Sequence, residues 1–346
     1  MRGTALRIRS RSRWAALLPA IAVMLIAGAR ADARVPDDFY GVVAQGSILP
    51  TDYGLMEQGG VGTLRFAIEW SQVEREPGAY DWTTVDAIVA GAAEGGVEPL
   101  PFVWASPEWL TGKRAKPPLG GADEKRAWKT FLGALIDRYR GTIRKVQVWN
   151  EPNFKLYWKP GPSPRDYAKL LRLSAKTIRS RDPKVEILLG GVAPVKRGML
   201  PWEFLEQLYD VKGIERSFDT VAVHPYFPDL FGVEFQIRQA LDEIEAAGDR
   251  RARLRITELG WASEGPAQDP MTKGRDGQAR LLRDAFELLT KQRRRWRIAG
   301  VDWHAFQDVG PEAGEPVCSF CPGSGLFTTE RQPKPAWEEF RKFAAP

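Results

Sequence analysis

The sequence predicts an α/β protein built as one (β/α)8 TIM barrel, a single domain, and three observations carry that prediction. Eight short runs rich in branched apolar residues recur along the chain, as strands buried on both faces of a parallel sheet should read. Amphipathic helical patterns separate them. A doubly wound open sheet, the competing architecture, usually opens on a Gly-rich phosphate turn, and none is present.

The candidate strands are Tyr40–Val43, Thr63–Ala67, Glu98–Val103, Lys145–Trp149, Glu186–Leu189, Thr220–Val223, Leu254–Thr257 and Gly300–Trp303. The clearest helix spans Ala122 to Tyr139. Its Trp128, Phe131, Leu132, Leu135, Ile136 and Tyr139 share one face. Ser163 is a good N-cap for a second helix, with Pro164 at its first position and Tyr167, Leu170, Leu171 and Ile178 along it. A third carries Ile237, Leu241 and Ile244 and stops at Gly248. A fourth holds Leu281, Leu282, Phe286 and Leu289. Segments at Val85–Val89, Trp202–Leu208 and Trp337–Phe343 complete the set, and Leu55 marks a weak first helix. The longest irregular stretch, His304 to Gly325, reads as an ordered lid, because a loop that long in a compact domain is usually functional.

Residues 1–33 differ from the rest. Five arginines precede the apolar run Trp14 to Gly28, and Ala31-Asp32-Ala33 supplies a small-x-small cleavage site. This predicts a secretory signal peptide at 1–33, with 34–346 as the mature catalytic domain. The run of 15 residues is short for a membrane span of about 20. The expectation is therefore a secreted protein without stable membrane association; an uncleaved leader would instead tether it to the cell envelope. The formal charge of +6 is concentrated there, since six Arg and one Asp put +5 in the leader and leave +1 for the remainder. That near-neutral remainder argues against nucleic acid as a partner. The one basic run left, Lys291 to Arg297, reads as a solvated helix end.

Cys318 and Cys321 are the two cysteines, and an exported chain predicts a disulfide between them. Two Cys and two His at these spacings make no zinc set, and nothing resembles a calcium loop, so neither metal nor cofactor is expected.

Two glutamates stand where strands end, Glu151 after Val146-Gln147-Val148-Trp149-Asn150 and Glu258 after Leu254-Arg255-Ile256-Thr257. Barrels keep their chemistry at the carboxyl ends of their strands. The fourth and seventh strands face each other across a barrel mouth, so these carboxylates can flank one bond. A pair about 5–5.5 Å apart is the apparatus of retaining glycoside hydrolysis. The candidate substrate contacts are Arg65 and Tyr226 beside the nucleophile, Asn150 toward a sugar hydroxyl, His224, and Trp303 as a flat subsite floor. Trp104 and Trp261 join Trp70, Trp109 and Trp158 as aromatics near strand ends, each open between core and cleft. His304 reads as a neighbour of the site.

These residues resemble glycoside hydrolase clan A. Trp149-Asn150-Glu151-Pro152 is similar to that clan's acid/base motif, and Thr257-Glu258 with Gly260-Trp261 to its nucleophile segment. Arg65, His224, Tyr226 and Trp303 match its usual active-site positions. Gly325-Leu326-Phe327-Thr328-Thr329 with Pro333-Lys334-Pro335-Ala336 looks like its ending. The resemblance covers roughly residues 39–345. Within the clan the chain looks most like families 39 and 5, departing from family 5 at Phe102-Val103-Trp104, where a His is common. The resemblance implies a retaining β-glycoside hydrolase acting on a carbohydrate by double displacement, with Glu151 as acid/base and Glu258 as nucleophile. A non-catalytic carbohydrate-binding protein on the same barrel and a transglycosylase are the alternatives.

Overall fold

The computed structural model describes residues 34–196, 198–310 and 318–345. The expected leader, residues 1–33, lies outside the described residues. Residues from Pro36 onward cluster into one compact unit. Among the described residues no helix is long and apolar enough to cross a membrane.

Eight parallel strands close into a barrel. In chain order they are β1 (Tyr40–Val43), β2 (Thr63–Glu69), β3 (Glu98–Trp104), β4 (Lys145–Val148), β5 (Glu186–Leu189), β6 (Thr220–Val223), β7 (Arg253–Leu259) and β8 (Ile298–Trp303). Each pairs with the next, and β1 closes on β8 through Tyr40 beside Val301 and Gly41 beside Asp302. All eight expected strands are present, and the differences are at their ends. A small antiparallel hairpin, Glu74–Glu76 with Ala79–Tyr80, was not expected. Its strands are too short and too charged to carry an apolar period.

The helices form where amphipathic patterning puts them. Ala122–Arg138 buries Trp128, Phe131, Leu132, Leu135 and Ile136. Pro164–Arg181 starts at Ser163, whose side-chain oxygen accepts from the Asp166 amide at 3.2 Å. Leu230–Ala246 ends before Gly248, which takes a φ of +67° that suits glycine. Between barrel and helices runs a belt of aromatics. Trp70 stacks on Phe131 at 5.3 Å, Trp149 meets Trp158 edge-on at 5.6 Å, and Trp158 meets Tyr167 at 5.7 Å. Trp70, Trp128, Trp149 and Trp158 are fully buried, each worth about 1.5–3 kcal/mol of transfer free energy or more. Trp70 and Trp158 are therefore core, while Trp109 is half-exposed and donates its indole N–H to the Glu74 carbonyl.

The barrel interior is polar in its lower layer. Arg255 holds Asp302 with two bonds of 2.8 and 2.7 Å, and both are buried. Gly300 makes room: a Cβ there would lie 2.3 Å from an Arg255 nitrogen. Cys318 and Cys321 are joined in a disulfide. Of the expected lid, 311–317 lie outside the described residues.

Candidate active site

The site grows from the ends of β4 and β7. After Val148 the chain turns sharply: Trp149 takes a φ of +73° and Glu151 a φ of +40°. Non-glycine residues in this region cost about 1–3 kcal/mol each and persist only where surroundings over-determine them. Here they do. The Trp149 amide donates to Val103 and its indole to the Tyr157 carbonyl. Asn153 donates to the carbonyls of Ala193 at 2.7 Å and Met199 at 2.8 Å, and accepts from the Ala193 amide. The turn is thereby locked with Glu151 facing the barrel mouth.

Glu258 reaches the same space through a bulge. Val301 pairs with Ile256, yet Trp303 pairs with Leu259, so β7 carries one residue more than β8 between these points. Strand side chains alternate between faces. The extra residue lets both Thr257 and Glu258 turn inward, and re-aiming a side chain is what bulges do beside active sites.

The two carboxylates and His224 present their ligand atoms within 4.8 Å of one another. Arg65, fully buried over the Phe102 ring, joins the strands. It donates to Glu258 at 2.7 Å, to Asn150 Oδ1 at 2.9 Å and to Gln147 Oε1 at 2.8 Å. That bond commits Asn150 Oδ1, so the Asn150 amide N–H groups remain to donate into the cleft. Tyr226 donates its hydroxyl to the other Glu258 oxygen at 2.7 Å.

The carboxyls are driven apart in acidity. Burial raises Glu151, its largest influence, with Glu258 adding to it and His224 and Arg65 opposing. Burial also pushes Glu258 upward, but its neighbours His224 and Arg65 and the Tyr226 hydrogen bond together bring it down to about 2. One group is set to stay protonated and the other ionised. Tyr226 is held well above its ordinary value by burial and then by Glu258, so it remains a hydrogen-bond donor. The Glu151–His224–Glu258 trio does not suit a metal ion, because a guanidinium already occupies Glu258 and would repel a cation there.

Asn150, Arg65, Tyr226 and Trp104 line a cleft of about 340 Å³ with the two glutamates. Three expected contacts need correction. His224 is fully buried and does not open on the cleft: its Nδ1 meets Glu151 at 2.9 Å and its Nε2 meets Thr257 at 3.0 Å. Gly191 leaves space for the ring, since a Cβ there would lie 2.0 Å from Nε2. Trp303 is not a floor. It is wholly buried, packed on Trp261 and Phe286, with its indole donating to Ser324. Alternation explains it: Asp302 points into the barrel toward Arg255, so Trp303 points out and His304 returns inward. Trp261 is likewise core, donating to the Phe227 carbonyl.

His304, read as a neighbour, lines the cleft itself. Gln147, Thr257 and Asn153 were missed as supports of the site. A polar residue inside an apolar strand, as in Val146-Gln147-Val148, was the available signal. Phe320 was also missed: it borders the cleft between the two cysteines and meets Tyr226 edge-on at 5.5 Å.

No known family model matches the chain. Solved structures do. A family 39 glycoside hydrolase from the gut symbiont Bacteroides cellulosilyticus WH2 aligns with a TM-score of 0.68 and 20% identity, over 90% of this chain and 64% of that one. A monomeric beta-xylosidase from Caulobacter crescentus CB15 aligns with a TM-score of 0.65 and 20% identity, over 89% of this chain and 68% of that one. A family 39 enzyme from Xanthomonas axonopodis pv. citri aligns with a TM-score of 0.63 and 22% identity, over 88% of this chain and 66% of that one. The chain thus spans slightly less than two thirds of the first protein's length. At these identities the likeness establishes the fold: this chain folds as these glycoside hydrolases do.

Proposed function

We propose that this protein is a retaining β-glycoside hydrolase. The observation that carries the reading is the carboxyl pair across the cleft, Glu151 with its pKa raised and Glu258 held down to about 2. Glu151 protonates the glycosidic oxygen as the bond to the anomeric carbon breaks. Glu258 attacks that carbon from the opposite face and carries the glycosyl group as an ester. Glu151, now ionised, takes a proton from water, which attacks the same carbon and releases Glu258. Arg65 and Tyr226 keep the nucleophile ionised and aimed. Asn150 donates toward a ring hydroxyl, a contact that gains strength as charge develops on the sugar. The named activities of the structural neighbours support the same class of substrate, a carbohydrate glycoside.

The test is turnover of a panel of aryl β-glycosides by wild type, Glu151→Gln and Glu258→Gln, with the anomer of the first-formed sugar read by NMR. Wild-type turnover giving the β-anomer first, lost in Glu258→Gln, supports the reading. A first-formed α-anomer overturns retention. Binding without turnover promotes the carbohydrate-binding alternative, and a dominant glycosyl-acceptor product promotes transglycosylation. We further propose export, from the composition of residues 1–33. N-terminal sequencing of the protein from the culture medium or periplasm should begin near Arg34.

A further inference from the structure

His304 follows β8 and lines the cleft beside Glu258, Tyr226 and Gln45. It is nearly buried, at 8% exposure, and its ring meets Tyr226 edge-on at 6.1 Å. Its Nδ1 lies 3.2 Å from Ser324 Oγ. That hydroxyl donates its proton to the Cys321 carbonyl at 2.7 Å. A serine hydroxyl has one proton to give, so toward His304 it can only accept. The Nδ1 therefore carries the hydrogen.

A neutral imidazole has a single N–H, so Nε2 is then a bare lone pair. The neutral form is the favoured one here, because burial lowers the His304 pKa, its largest influence, while Glu258 opposes. No described residue hydrogen-bonds Nε2. Gln45 borders the same wall. On the other wall, Asn150 offers donors. The cleft is thus sided, with an acceptor after β8 and donors after β4.

We propose that His304 is a specificity-determining residue: its Nε2 accepts a hydrogen bond from a ring hydroxyl of the sugar held against Glu258, and Ser324 is the positioning residue that fixes the tautomer. The inference rests on the glycosidase reading and names the sugar class within it. The occupant is a neutral sugar with a hydroxyl at that wall. A uronate carboxylate at the same point would face a lone pair and gain nothing from it.

The experiment uses aryl β-glycosides in which each ring hydroxyl in turn is replaced by hydrogen, plus the matching aryl β-uronide, with wild type, His304→Ala, His304→Gln and Ser324→Ala. Circular dichroism identifies variants that fold. In wild type, one deoxy substrate should lose roughly ten- to hundredfold in kcat/KM relative to its parent, as expected when a buried acceptor is left unpaired. That ratio should collapse toward unity in His304→Ala and shrink in Ser324→Ala, while ratios for the other hydroxyls persist. His304→Gln, which keeps a carbonyl acceptor, should retain part of it. The same deoxy pattern in wild type and every folded His304 variant overturns the proposal. So does a uronide turned over faster than its neutral parent. If wild type turns over nothing, the glycosidase reading fails by itself. The deoxy series is then read by calorimetric binding, where a ratio lost in His304→Ala upholds the assignment and an unchanged pattern overturns it.

Discussion

Glu151 and Glu258 have the same side chain and opposite pKa shifts, and their neighbours decide which is which. The proposed mechanism requires Glu258 ionised, so the acid limb of the pH–rate profile should fall only as pH approaches about 2. It also requires Glu151 protonated, so the alkaline limb falls through that residue's raised pKa. With an activated aryl leaving group, Glu151→Gln should erase the alkaline limb and keep the acid one; an alkaline limb that survives would assign it to another group. Stability follows the same shifts with opposite signs. The depressed Glu258 stabilises the fold above its unfolded value and loses that contribution as pH falls toward 2. The raised Glu151 loses stability as pH rises through its folded pKa. Glu151→Gln should therefore raise Tm by about 2 °C or more at alkaline pH, with little gain in acid. Arg65→Lys keeps the charge but loses the fork that bonds Glu258, Asn150 and Gln147 together. It should cost about a hundredfold or more in kcat/KM. A loss under tenfold would mean that charge alone suffices.

At the scale of elements, the site depends on short segments held by few bonds. The Cys318–Cys321 bridge closes a ring of four residues, too small to constrain the unfolded chain much. Removing it as a Cys318→Ser/Cys321→Ser pair should cost roughly 2 kcal/mol or less. Yet that ring carries Phe320 against Tyr226, and its Cys321 carbonyl accepts from Ser324. The double substitution should raise KM several-fold with a small change in the denaturation midpoint; equal and large losses of both would make the bridge a folding element instead. By contrast, Ser163→Ala removes a helix cap remote from the chemistry and should cost about 1 kcal/mol with kcat unchanged, read by urea denaturation and assay.

For the whole molecule, the buried Arg255–Asp302 pair lies one layer below the site. Gly41 pairs with both Asp302 and Thr63, and Thr63 precedes Arg65 by two residues. Asp302→Ala leaves a guanidinium buried with only carbonyl partners and should destabilise the barrel by about 3–5 kcal/mol, measured by urea denaturation. Replacing both residues by apolar ones of similar volume should recover most of that. If the double replacement is no better than the single, the loss is packing rather than an unpaired charge.

The barrel, its eight strands and the place of the two glutamates at strand ends were legible in the sequence, because parallel strands buried on both faces must be apolar runs and the polar residues that follow mark where each run ends. The cap at Ser163 and the stop at Gly248 were legible for equally local reasons. What was read wrongly were directions. Trp303 was expected in the cleft, although Asp302 inside the barrel obliges Trp303 to face the helices and His304 to face the site. The bulge at Thr257–Glu258 and the positive φ angles at Trp149 and Glu151 have no residue signature, since neither position is a glycine. Only the closed barrel decides them: hydrogen bonds from strands far apart in sequence hold the chain in conformations that its own residues would not choose. The sequence by itself determined the barrel and the place of both glutamates at the ends of its strands. The tertiary structure decided which way they point, and with that which carboxyl keeps its proton.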